Sequence, residues 1–489
     1  MSRKGTDYIQ SLRDGREIFI NGELIKDHVD HPAFRNAVRS AASLYDYQAA
    51  NQEQMTFTTP TGKQVNRSWE LPDTREKLVK RGLAAQAWAE QSYGWLGRSP
   101  DHVPAAITGM ITHIDVFEDY DKKRAHALRG YYEYARDRDL AMTYTIVNPQ
   151  GDRSKLASEH DDKYHSLGVV DEDAEGITVR GAKMLGTSAP LAEEVLVGVQ
   201  NPLKEGVDDI YALSFAMPLA AKGIKILSRK SYEQSAHSEF DNPLAARFDE
   251  NDAVIYFDDV KVPWDRVFIY KKTAMCRAQF HATAAEILMN TQSQARYTVK
   301  LKFLAGLARR MAETTGVINF PAIQESLGNL ASQAMVIDGM FRSLIHDPAE
   351  RNGFFFPRQL QIYTTQAYSQ ELYPSFITAI RKLAGGGVIM LPSGVEDFDN
   401  PEMAKLIGKT QYSSIASPED RVKVMKLAWD ALGSEFGSRH TQYEMFYNGP
   451  HFAALMRVFG AFDWSGATGM VDELLGSYSR AANKGVAAE

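Results

Sequence analysis

The chain is predicted to have a mixed α and β fold: an N-terminal helical domain over residues 1–144, a central antiparallel β domain over 145–270, and a C-terminal helical bundle over 271–489. Three observations carry this. Apolar residues recur at helical spacing in the first region, short runs rich in Val, Ile, Tyr and Phe fill the second, and long helical periodicities return in the third.

In the first region, TREKLVKRGLAAQAWAEQSYGW (Thr74 to Trp95) and AHALRGYYEYARDRDLAMTY (Ala125 to Tyr144) each place an apolar stripe on one helical face. In the second, GITVRGAKMLGT, EEVLVGVQ, IYALSFAMP, GIKILSR and DAVIYFDDVKVPWDRVFIY are separated by Gly, Pro and Asp, which predicts about six or seven strands in a sheet or barrel. They do not alternate with long helices, so a doubly wound parallel sheet is not expected. In the third, Ile323, Leu327, Leu330, Ala334, Ile337, Phe341 and Leu344 step by four and three, the seam of a bundle helix. A second helix runs from about Ala282 to Thr315, and AGGGV (Ala384 to Val388) reads as a connection at a helix end.

The formal net charge is -7, and no basic stripe suggests nucleic-acid binding; KLVKRG and LARRM read as solvated helix faces. A single cysteine, Cys276, is read as structural and excludes an intrachain disulfide, a four-cysteine zinc site or a cysteine-held iron–sulfur cluster. The 12 histidines show no metal spacing, so no metal is expected, and His28 and His31 in HVDHP read as surface loop. The N-terminus lacks the apolar core of a signal peptide, and no run reaches the ~20 apolar residues of a membrane helix. A soluble, cytoplasmic protein is expected. Fingerprints for nicotinamide dinucleotides, nucleoside triphosphates, zinc proteases and serine hydrolases are missing.

Three stretches stand apart. YGWLGRSPDH (Tyr93 to His102) combines aromatics, Gly, Pro, an arginine and a histidine in a segment hostile to helix. TYTIVNPQGDR (Thr143 to Arg153) turns at Asn-Pro, where helix is disfavoured. EFGSRHTQYEMFYNGPHF (Glu435 to Phe452) ends an aromatic helix in Asn-Gly-Pro.

Taken with DNPLAARFDENDAVIYFDDVKVPWDRVF and RVKVMKLAWDALGSEFGSRHTQYEMFYNG, the GWLGRSPD and NPQGDR turns resemble the signatures of the 4-hydroxyphenylacetate 3-monooxygenase oxygenase-component family. The opening, GTDYIQSLRDGREIFINGELIKD, is similar too, so the resemblance runs in one order from about residue 5 to about residue 460. It implies an acyl-CoA-dehydrogenase-like fold, with the β domain a barrel and the last domain a four-helix bundle. It also implies a homotetramer that takes FAD as FADH2 from a separate NAD(P)H:flavin reductase. Such enzymes insert one atom of O2 ortho to a phenolic hydroxyl through a flavin C4a-hydroperoxide, and nicotinamide need not bind.

The resemblance assigns residues by position. Arg98 is a catalytic and substrate-binding cation, with Ser99, Pro100 and Asp101 around it. His102 and Tyr144 stand where the phenylacetate hydroxylases tend to have tyrosine and histidine respectively, so both are expected as catalytic, substrate-contacting groups with the two side chains exchanged. Tyr144, Thr145 and Ile146, then Gln150, Gly151, Asp152 and Arg153, match the flavin-contacting segment. Thr187 matches a threonine beside the ring, and Asn448, Gly449, Pro450 and His451 match a turn that reaches the flavin.

With the exchange 4-hydroxyphenylacetate is no longer the default: another phenol, a halo- or nitrophenol, or a carrier-tethered tyrosine-type unit is open. A 4-hydroxybutyryl-CoA dehydratase would need thiolates this chain lacks. A non-catalytic partner-binding helical protein would have no use for the GRSP and NPQ turns. Trp264 and Trp429 are expected in the core.

Overall fold

Helices in the N-terminal region form where the amphipathic stretches fall. Residues 2–478 are described by a computed structural model. The helix Arg75–Gln91 starts at Thr74, whose side chain accepts from the Lys77 N–H, and Lys122–Arg138 starts at Asp121 and stops at Asp139 in a left-handed conformation (φ 49°). Between them, the helix His102–Ile111 begins where GRSPD ends, and nearly all of it is buried. Arg81 in KLVKRG is not solvated as expected: its guanidinium is buried and donates to the carbonyls of Arg67, Ser68 and Glu70. Burial lowers its pKa to about 10.

The β region is two open sheets rather than a closed antiparallel barrel. One has the strand order Glu23–Ile25, Glu17–Ile20, Ile224–Ser228, Asp252–Pro263, Gly176–Thr187, Gly168–Glu172; the other runs Val267–Tyr270, Leu213–Pro218, Glu194–Val197, Met142–Thr145. The departure has a topological cause. Glu17–Ile20 pairs parallel with Ile224–Ser228, and Met142–Thr145 pairs parallel with Glu194–Val197. Each parallel pair needs a long crossover, and each uses a strand from outside the run of β-rich segments. The sheets meet face to face at Phe215 and Phe257, whose buried rings lie 5.9 Å apart at 87°. A register shift at Asp259 (φ 52°) bends the long strand Asp252–Pro263.

The bundle comprises Ala285–Thr314, Pro321–His346, Gln359–Ala384 and, in the fourth position, the successive helices Pro418–Leu432 and Glu435–Phe446. The predicted seam is buried from Leu330 through Ala334, Ile337, Phe341 and Leu344, and half-buried at Ile323 and Leu327. Ala285–Thr314 is buried on every side through Leu301 although it carries Asn290, Gln292, Gln294, Arg296 and Lys300. Most of those polar groups bond to neighbouring elements: Gln292 to Ser99 and Asp101, Gln294 to Tyr447 and Ser369, and Arg296 and Lys300 to Glu444.

Trp264 packs half-buried with its Nε1–H on Asp173 O, but Trp429 is 40% exposed over Gly433 rather than in the core. His28 is buried, not on a surface loop, and burial lowers its pKa to about 3. Cys276 is buried and its thiol is pushed up to about 12. Among the described residues no helix is long and apolar enough to cross a membrane, and no group of three or more His, Cys, Asp or Glu could hold a metal ion.

Candidate active site

The GRSP turn is fixed from three directions. The Arg98 N–H donates to Glu250 Oε2 (2.8 Å), and Glu250 Oε1 accepts from Arg439 Nη1 (2.7 Å). Arg439 also grips Asp252 through Nε and Nη2 (2.9 and 2.6 Å). The turn is thereby tied to the β region and to the bundle helix Glu435–Phe446. Gly97 is required here: a Cβ would lie 2.8 Å from the Tyr443 ring and hydroxyl and 2.9 Å from Glu250 Oε1.

The guanidinium of Arg98 reaches two groups, His102 Nε2 from Nη1 (2.8 Å) and the Tyr144 hydroxyl from Nη2 (2.9 Å). It also lies over the rings of Tyr144, Tyr443 and Tyr447, 5.1 to 5.8 Å from each centroid. Burial works against its charge, but Tyr144, Tyr443 and Glu250 outweigh it and hold the pKa above the ordinary value. His102 and Tyr144 stack at 5.6 Å and 30°. The three residues assigned to substrate chemistry thus converge on one cluster.

The imidazole has one possible tautomer. Arginine only donates, so Nε2 must accept from it. Nδ1 faces Gln292 Oε1 (2.9 Å), while Gln292 Nε2–H is committed to Ser99 Oγ (2.9 Å) and Asp101 Oδ1 (3.0 Å). Flipping the amide would set its oxygen against the carboxylate. His102 is therefore neutral, with the proton on Nδ1, and burial and Arg98 hold its pKa well below the ordinary value. Ser99 Oγ–H also donates to Asp101 Oδ1 (2.6 Å), and burial raises the Asp101 carboxyl to about 6. Pro100 is half-buried and, with Leu96, Met142 and Leu191, lines a small cavity beside Arg98.

The expected flavin residues fall into three groups. Thr145 Oγ1–H donates to Met184 O, and Thr143 Oγ1–H to Thr187 O, so the strands carrying Tyr144 and Thr187 are laced together. Ile146 is half-buried beside them, and Thr187 Oγ1–H itself donates to Asp252 Oδ1 (2.7 Å). Gln150, Gly151, Asp152 and Arg153 project into solvent, and Asp152 Oδ1 closes a local turn by accepting from the Ser154 N–H. Asn448 follows Tyr447 and adjoins the Arg98 cluster; Gly449 (φ 85°) and exposed Pro450 lead into His451. Among the described residues, Asn448 Nδ2 and His451 Nε2 are buried without a partner. An unpaired amide N–H, an unpaired imidazole nitrogen and an exposed arginine loop fit a heteroaromatic cofactor with polar edges and a pyrophosphate.

The chain matches the family model described as 4-hydroxyphenylacetate 3-hydroxylase N terminal over residues 4–269 and that described as 4-hydroxyphenylacetate 3-hydroxylase C terminal over residues 276–476. It belongs to the 4-hydroxyphenylacetate 3-hydroxylase family. It is 32% identical to the 4-hydroxyphenylacetate 3-monooxygenase oxygenase component of Geobacillus sp. (strain PA-9), over 94% of each chain. It is 33% identical to the 4-nitrophenol 2-monooxygenase oxygenase component of Rhodococcus sp, over 94% of this chain and 89% of that one. The crystal structure of a 4-hydroxyphenylacetate 3-monooxygenase oxygenase component complexed with FAD and 4-hydroxyphenylacetate superposes with a TM-score of 0.91 at 32% identity, covering 97% of this chain and 99% of that one. The resemblance read from the turns stands, and so does the expected order of helical region, β region and helical bundle, with two open sheets in place of the barrel.

Several members of the site were not singled out in the sequence. Tyr443 and Tyr447 show a signal, since their four-residue spacing puts both on one helix face. Gln292, Glu250 and Arg439 show none, because each acts through a partner distant in the chain.

Proposed function

We propose that this family member is the oxygenase component of a flavin-dependent phenol monooxygenase, with the overall reaction phenol + O2 + FADH2 → catechol + H2O + FAD. The observation that carries it is the placement of Arg98 between a neutral imidazole and a phenol hydroxyl, boxed by three tyrosine rings. Bound reduced FAD supplies the two electrons that divide O2 between the new hydroxyl and water.

A phenol is most nucleophilic as phenolate, and its unperturbed pKa is near ~10. Arg98 cannot lose its proton, so its charge beside the substrate oxygen favours the phenolate. Once Arg98 turns to the substrate oxygen, the lone pair of His102 Nε2 is released and accepts the phenolic proton; the Tyr144 hydroxyl, an acceptor from Arg98, keeps its own proton to donate. The tyrosine rings exclude water from the guanidinium. Thr145, Thr187, Asn448 and His451 hold the ring of the flavin, and Gln150–Arg153 its polar edge and pyrophosphate.

The exchanged histidine and tyrosine favour a phenol other than 4-hydroxyphenylacetate: a nitro- or halophenol, or a carrier-tethered tyrosine-type unit. FADH2 comes from a separate NAD(P)H:flavin reductase. The active form is a homotetramer, supported by the apolar face of helices His451–Ala461 and Trp464–Gly476, where Phe452, Met456, Phe459, Met470 and Leu474 are 59–70% exposed.

The test mixes the protein and anaerobic FADH2 with oxygenated buffer and a panel of phenols. A catechol formed from one of them, with consumption of one O2 each, supports the reading. Hydrogen peroxide as the sole product from every phenol, free and carrier-bound, overturns it.

A further inference from the structure

Lys183 lies on the strand Gly176–Thr187 with no exposed surface at all. Its Nζ donates to Asn148 Oδ1 at 2.7 Å, and among the described residues no carboxylate pairs with it. The ionisable group nearest in effect is Cys276, a neutral thiol. Burial lowers the lysine pKa to about 7. A buried cation with no counter-charge weakens a fold by more than one unpaired amide oxygen does, so an apolar side chain of similar length is expected to be neutral or stabilising even though it leaves Asn148 Oδ1 without this donor. The fold alone gives no reason to keep this ammonium.

Its partner supplies one. The segment Thr145–Asn148 is pinned residue by residue: the Gly198 N–H donates to Thr145 O (3.1 Å), the Gln200 N–H to Ile146 O (3.3 Å), and the Met184 N–H to Val147 O (3.0 Å). Asn148 is the last buried residue; Pro149 is half-buried and Gln150 to Arg153 are exposed. Beyond Asn148 the segment meets the body at His165, whose Nε2–H donates to Pro149 O (3.3 Å). A Cβ on Gly151 would lie 2.9 Å from that same nitrogen, so the loop already runs tight against the ring.

We propose that Lys183 is a positioning residue that clamps Asn148 and so aims the loop Pro149–Arg153 at the flavin. This rests on reading Gln150–Arg153 as a flavin-holding segment. The lysine does not touch the cofactor; it fixes the point from which the loop departs. Stability given up at a buried charge is exchanged for a pre-formed cofactor loop.

The distinguishing feature is that affinity and stability move in opposite directions. Lys183→Met in the full-length protein is expected to weaken binding of FAD, oxidised and dithionite-reduced, at least tenfold in Kd. Its urea midpoint at pH 6, where the parent must hold the ammonium charged, is expected to match or exceed the parent's. Asn148→Ala keeps the lysine but removes its acceptor and is expected to weaken FAD binding to the same degree. Kd values within twofold of the parent in either variant overturn the proposal. So does a Lys183→Met protein with a lower midpoint, since the ammonium is then needed by the fold itself. If the parent binds FAD in neither redox state, the flavin reading of the loop falls, and this proposal with it.

Discussion

Arg98 and His102 meet nitrogen to nitrogen, Nη1 to Nε2, at 2.8 Å, and only one of them can donate. The contact therefore sets the imidazole as an acceptor aimed at the charge, and the charge as the group that organises the pocket. Arg98→Ala is expected to lower phenol hydroxylation by at least ~100-fold, the scale of losing one well-aimed donor at a reacting oxygen. The thermal midpoint should change by only a few degrees, because the turn is held through the Arg98 N–H, which alanine keeps. Product analysis beside a melting curve checks both; normal turnover on every phenol the parent accepts would remove Arg98 from the mechanism.

Gly97 tests how closely the tyrosine box fits. Its missing side chain leaves the space taken by the Tyr443 ring, so Gly97→Ala must push that ring away from Arg98. Overpacking of this kind costs about 1–3 kcal/mol. The expected pattern is a lower urea midpoint together with a raised KM for the phenol. A variant that loses stability with KM intact would mean Tyr443 takes no part in substrate binding.

Gln292→Leu strands two groups at once. The His102 Nδ1–H loses its acceptor, and Asp101 Oδ1 loses one of its two donors. An unpaired buried donor costs about 1–3 kcal/mol, which urea unfolding would read directly. Hydroxylation should fall as well, since Nε2 is then no longer fixed as the acceptor once Arg98 turns to the substrate. His102→Tyr has no Nδ1 to hold; in that background Gln292→Leu should affect turnover far less, and an equal effect in both backgrounds would reduce Gln292 to a packing role.

How much of this could be read from the residues follows from range. The GRSP turn, the NPQ turn and the bundle seam declare themselves by local chemistry: Pro and Gly restrict the backbone, and apolar spacing marks a face. Arg81 and His28 looked solvated and are buried: Arg81 donates to the carbonyls of Arg67, Ser68 and Glu70, beyond the reach of helical spacing, while His28 is enclosed beside Arg16 and Arg13, which together with burial keep its imidazole neutral, and among the described residues its Nε2 has no partner. The parallel strands Glu17–Ile20 and Met142–Thr145 were missed for a similar reason, since each is short and pairs with a strand more than fifty residues away. Gln292 lies on a helix that is polar in composition yet buried, and no periodicity distinguishes a polar residue facing water from one facing another polar residue.

The least legible feature is a charged core behind the tyrosine box. Glu444 accepts from Arg296 Nη1 and Nη2 (2.6 and 2.8 Å) and from Lys300 Nζ (2.8 Å), with all three side chains at most 1% exposed. Burial alone would raise the Glu444 pKa, but Arg296 and Lys300 outweigh it and bring the carboxyl down to about 2, from an ordinary 4.5. The stability this carboxylate contributes is therefore fully present above about pH 4.5 and is lost as pH falls toward 2. Glu444→Gln leaves two buried cations without a counter-charge and is expected to cost about 3–5 kcal/mol at pH 7. Because the parent loses the same charge in acid, the gap between parent and variant should narrow steadily below pH 4. Urea unfolding at pH 7, 4 and 3 measures it; a gap that stays constant with pH would show that the glutamine fails by shape and that the charge on Glu444 contributes nothing.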